Sequence, residues 1–214
     1  MSIYSAYSAS GIVLTNFASQ NPVVIESGGT IQPSAARSLA VYGKAAYAWT
    51  IENFGLLSTP GSGSAAIYLK YGGAITNAGT GVISANMTYG DGIVLTGGGV
   101  VTNQASATIS AYIGVFANDV AATVVNAGTV IGSPTEGVGI VLRGGGAAIN
   151  QKTGTVSGVY GVFAGSVAAT ITNYGSINGV TSAGVGIAAG GVITNAGTGI
   201  ISGGHYGVEA SGSA

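Results

Sequence analysis

The chain has 214 residues, long enough to bury one sizeable core, and combines 40 glycines with no cysteine and only five basic and six acidic residues. That composition excludes a solvated disordered tail, which needs high charge and few apolar residues, and it excludes disulfide staples and thiolate metal sites. A net charge of −1 offers no basic footprint for nucleic acid, and Gly, Asn or Ser interrupts every apolar run before it reaches the roughly 20 residues of a membrane span.

In chain order, the opening MSIYSAYSAS has neither a basic n-region nor an apolar h-region, so no secretory leader is read there. Residues 1–22, which include the strand-like GIVLTN at 11–16, are expected to form an N-terminal strand that caps or docks. Residues 23–214 are repetitive. The phrase AITNAGTGVIS at 74–84 returns as VITNAGTGIIS at 192–202. Between and before these copies, a hydrophobic–x–Asn phrase followed by a glycine or small-residue turn recurs at Asn53, Asn77, Asn103, Asn126, Asn150, Asn173 and Asn195, at spacings of 22 to 26 residues. One turn earlier, Ile25-Glu-Ser-Gly-Gly-Thr30 fits the same frame with Ser27 in the asparagine slot.

A second column, Val41, Ile67, Ile93, Val115, Ile140, Val162, Ile187 and Val208, keeps step with the first, each member preceded by Gly or Ala. A third follows the asparagine turns at Ile31, Leu57, Ile83, Ile109, Ile131, Val156, Ile177 and Ile201. Self-similarity at this period marks a solenoid or array. The phrases are short, β-branched and alternating, with Gly and Asn between them, so they are strands. The fold class expected is all-β: a single right-handed parallel β-helix of about eight coils with three short strands per coil, the handedness following the general rule for parallel crossovers. The asparagines then form a corner ladder, with glycine supplying positive φ and Asn tolerating the left-handed region, and stacked amides bonding along the axis.

Phrases of the form VTN-x-G-x-I-S-G and G-V-x-L-x-G-G, spanning about residues 11 to 211, resemble the repeats of bacterial autotransporter passengers and haemagglutinin-type adhesins. The resemblance implies an extracellular or surface-displayed stalk, adhesin or self-associating protein. As adhesin, its partner would be a host or matrix glycan.

Chemistry is sparse. Polysaccharide-active β-helices bring two or three carboxylates together. Here Glu26, Glu52, Asp91, Asp119, Glu136 and Glu209 share no column in adjacent coils, and the one histidine, His205, has no cysteine and only Glu209 nearby. No enzyme, cofactor or metal is expected. The glycine pairs at 72–73, 97–99, 144–146 and 190–191 lack the aspartate of calcium-binding G-G-x-G-x-D repeats. Lys44, Lys70 and Arg143 share one register as strand ends, a weak candidate for glycan contact.

The informative surface lies beside them. If Val41 and its column point inward, alternation sends Tyr42, Tyr68, Val94, Phe116, Val141 and Phe163 outward as an apolar strip, and contiguous apolar patches mark interaction surfaces. The last coil keeps Ile201, Tyr206 and Val208, and the first opens on Ile12 and Leu14. These are the candidate end-to-end contacts for copies stacking into a filament. The expected partner is the chain itself.

Overall fold

The computed structural model describes residues 1–211. Its strands form three parallel sheets of nine strands each, and every third strand in the chain joins the same sheet. One coil thus contributes Gly73–Asn77 to the first sheet, Val82–Ala85 to the second and Asp91–Leu95 to the third. Each strand pairs in register with its counterparts one coil before and one after, as Ile75 does with Ile51 and Val101. The architecture is a parallel β-solenoid.

It has nine coils, one more than the repeat suggested. Ser2–Tyr4, Tyr7–Ser8 and Ile12–Leu14 pair with the strands that follow them one coil later, so residues 2–14 are a complete coil. The segment after it holds the helix Phe17–Gln20, whose N-cap Asn16 accepts a hydrogen bond from the Ser19 N–H. Phe17 lies 5.0 Å from the Tyr47 ring and 5.4 Å from that of Trp49, which is itself buried.

The core is a set of stacked columns along the axis. Ile51, Ile75, Val101, Val124, Ala148 and Ile171 come from the first sheet, Leu57, Ile83, Ile109, Val130, Val156 and Ile177 from the second, and Val41, Ile67, Ile93, Val115, Ile140, Val162 and Val185 from the third. β-Branched side chains suit this stacking because each packs on its counterpart one coil away. The small residue before each member of the third-sheet column also has a cause. A Cβ on Gly114 would meet Val130 Cγ1 at 2.7 Å and the Gly139 carbonyl oxygen at 2.6 Å, so the position faces the second sheet and admits nothing larger than the methyl of Ala40 or Ala66, and in this coil only glycine.

The glycine pairs form the corner between the third and first sheets. Gly72 and Gly73 have φ of 80° and 148°, and Gly98 and Gly99 have 72° and 127°. A Cβ on Gly99 would collide with the carbonyl oxygen of Gly73 in the coil beneath. Conformation and close approach both require glycine there.

Candidate functional site

Three features were singled out by the sequence: the asparagine corner, the outer strip and the end-to-end set. The corner is structural. Asn53 Nδ2 donates to Asn77 Oδ1 at 2.8 Å, and the pattern continues through Asn103, Asn126, Asn150 and Asn173 to Asn195, at 2.8 to 2.9 Å per step. Each amide from Asn53 to Asn173 also donates to a carbonyl in its own turn and to one in the next coil, as Asn126 does to Gly128 and Thr155. The ladder is therefore polar, with every Nδ2 pointing toward the C-terminal coil.

Two parts of the corner differ from expectation. Ser27 is exposed in the turn closed by the Gly29 N–H to Glu26 O bond, while Ile25 pairs in register with Asn53 and takes the asparagine slot. The Ile25 side chain has no N–H to give, so Asn53 Oδ1 is buried without a partner. None of the ladder asparagines has positive φ; in the repeated ITNAGTG phrase the left-handed residues are Gly79 and Gly197. Asparagine sits at this corner for its buried amide, and glycine for the backbone.

The outer strip lies in one register on the third sheet, running Tyr42, Tyr68, Val94, Phe116, Val141, Phe163. Tyr42 and Tyr68 stack at 5.5 Å with an interplanar angle of 4°. Five of the six are half-buried by one another, and Val141 is buried at 8 % exposure. A second outward column starts each of these strands: Leu39, Ala65, Asp91, Ile113, Val138 and Tyr160. Sequence alternation missed it because two successive residues, the glycine and the β-branched one, both face inward. The cue was the fixed small residue, which displaces the outward position to three residues before the strip.

This second column makes the face wider and gives it one carboxylate. Burial pushes the Asp91 carboxyl up to about 6, opposed by a backbone hydrogen bond from Ile113. Its cross-strand neighbours are Ala65 and Ile113, neither of which carries charge. The basic register behaves unevenly: the Arg143 guanidinium lies 5.9 Å from the Phe116 ring centre and donates to Asn118 Oδ1, while Lys70 leans on Tyr71 at 5.3 Å. Arg143 thus borders the apolar face.

The predicted end-to-end set divides. Ile12 and Leu14 point into the first coil and belong to the core, so their side chains are not exposed for contact, while their strand is the edge of the third sheet. Tyr206 and Val208 are exposed and Ile201 is half-buried in the ninth coil. Glu209 accepts a hydrogen bond from the Tyr160 hydroxyl at 3.0 Å, two coils away, and His205 lies edge-on to Tyr206. Among the described residues no group of three His, Asp or Glu side chains is placed to hold a metal ion.

Comparison with protein-family models, with curated proteins and with solved structures finds no match to this chain.

Proposed function

We propose that this chain is a non-catalytic structural protein that associates laterally with copies of itself through the outer face of the third sheet. The observation that carries the proposal is the in-register apolar column from Tyr42 to Phe163, flanked by Leu39, Ile113, Val138 and Tyr160. A second copy is the occupant best matched to it. The ridges of the strip repeat at the coil spacing of about 4.8 Å, and another copy presents ridges at that same spacing over the same length.

Size sets the expected strength. The face is about 24 Å long and about 16 Å wide, so closing two of them removes on the order of 770 Å² from water, below the range of standard stable interfaces. Such a contact is weak between two free copies and becomes strong where copies are held close together, as in a layer or bundle. The scattered placement of the six acids supports the non-catalytic part of the reading.

Sedimentation velocity from about 10 μM to about 1 mM tests it, the range in which so small an interface should form. Wild type should shift reversibly from monomer to dimer or larger. The double variant Phe116→Ser, Phe163→Ser should remain monomeric with an unchanged far-ultraviolet spectrum, because both side chains point out of the core. A wild type that stays monomeric throughout, or a variant that associates equally, overturns the proposal.

A further inference from the structure

The corner that carries the amide ladder comes in two lengths. Four residues separate Asn77 from the next strand at Val82, and likewise Asn103, Asn150 and Asn195 from theirs, whereas only two follow Asn53, Asn126 and Asn173. The longer connections are closed β-turns: the Gly154 N–H donates to Gln151 O at 2.8 Å, and the Gly199 N–H to Ala196 O at 3.0 Å. Wherever a short turn lies between two long ones, the corner has a notch with walls two coils apart, about 10 Å centre to centre.

Three such notches result, and they are not equivalent. At the middle one the floor is Ala127, and Thr153 donates its hydroxyl across to the Ala127 carbonyl at 2.7 Å, bridging the gap. At the lower one the floor is Phe54, with Thr30 and Thr80 among a lining that carries no charge. The upper notch encloses about 300 Å³ and is lined by Gln151, Lys152, Tyr174, Gly197 and Thr198. Tyr174, its floor, is 43 % exposed, and no acidic side chain reaches the site.

We propose that the Tyr174 notch binds an acidic pyranose, a sugar ring carrying a carboxylate. An exposed tyrosine offers a flat apolar plate for the C–H face of a pyranose, and the notch admits one ring between its two walls. Gln151 can both donate to and accept from ring hydroxyls, and Thr198 can do the same through its hydroxyl. Lys152 is the one charged residue of the lining, a mobile point charge suited to a carboxylate. A mostly apolar lining with a few converging polar groups is the usual make-up of a small-ligand site. The site lies at the corner between the first and second sheets, away from the third-sheet face, so it is independent of lateral association.

Titration calorimetry with tetragalacturonate, and with cellotetraose as its neutral counterpart, tests the proposal at protein concentrations where the chain is monomeric. The acidic oligosaccharide should bind saturably and more tightly than the neutral one. Tyr174→Ala should weaken it by about tenfold, equivalent to about 1.4 kcal/mol, and Lys152→Gln should bring its affinity down to that of the neutral sugar. Tyr89→Ala, an exposed tyrosine at another corner, should change nothing. Absence of saturable binding, equal affinity for the two sugars, or binding unaffected by a correctly folded Tyr174→Ala overturns it.

Discussion

Replacing Asn126 by Leu interrupts the amide ladder at its middle. In the wild type Asn126 is fully buried, accepts from Asn103 Nδ2 at 2.8 Å, and donates to Asn150 Oδ1, Gly128 O and Thr155 O. Not all of these losses weigh equally. Asn103 Nδ2 keeps Ala107 O and Thr129 O, and Gly128 O still accepts from the Thr155 N–H. Asn150 Oδ1 keeps nothing and becomes a second buried orphan of the kind Asn53 Oδ1 already is above Ile25. An orphaned buried acceptor costs about 1–3 kcal/mol and each lost neutral bond about 1. The bulkier, non-planar Leu must also fit a slot walled by glycine backbone, which adds about 1–3 kcal/mol of overpacking. A total of about 3–5 kcal/mol follows, at the severe end for one substitution. Asn195→Leu is the internal reference. That side chain is exposed, donates only to Gly199 O and receives only from Asn173, so its loss should cost about 1 kcal/mol or less. Thermal melting of both variants gives the ranking, and hydrogen exchange locates the damage, since solenoids open coil by coil. Exchange should accelerate around Asn103–Asn150 in Asn126→Leu and only near the ninth coil in Asn195→Leu. Equal destabilisation by the two variants would refute the ladder as a source of stability.

Two further predictions concern backbone and charge. Gly99→Ala should destabilise by several kcal/mol, since its φ of 127° and its approach to the Gly73 carbonyl both exclude a Cβ, whereas Gly165→Ala, whose Cβ would meet only the Phe163 ring at 3.4 Å and beyond, should be neutral or stabilising by about 0.5 kcal/mol; denaturant unfolding measures both. Asp91 makes stability depend on pH: with its folded pKa raised from 3.8 to about 6, its contribution is fully present below pH 3.8 and is lost as pH rises through 6. The difference in melting temperature between wild type and Asp91→Asn should therefore change across that window, wild type gaining relative stability on acidification by at most about 3 kcal/mol. A difference that is flat with pH would contradict the burial of that carboxyl.

The solenoid was legible because its strongest constraint is periodic. Asn77 must stack on Asn53 and under Asn103, so asparagine returns at every coil from Asn53 to Asn195, and Gly73 and Gly99 must let one corner lie on the next. Where a coil departs from the pattern the reading failed. The first two coils carry Tyr4 and Ile25 in the ladder column instead of amides, so residues 2–14 went uncounted and Ser27, aligned on its neighbouring glycines, took a slot that strand register gives to Ile25. Alternation located the strip from Tyr42 to Phe163, but period-two reasoning breaks at strands with two successive inward residues, and Asp91 and Tyr160 were lost for that reason. The notch at Tyr174 was also in the letters. Asn173-Tyr-Gly is two residues shorter than Asn195-Ala-Gly-Thr-Gly, yet turn length acquires meaning only when the neighbouring coils are stacked on either side.

The self-association reading is tested most directly by where two copies touch. The chain has no cysteine, so a single Val94→Cys places one thiol at the centre of the third-sheet face, and Val120→Cys places one on an exposed corner elsewhere. Under mild oxidation at equal concentration, Val94→Cys should form a disulfide-linked dimer rapidly and Val120→Cys slowly. Equal rates, or faster trapping through Val120→Cys, would contradict association through the third sheet.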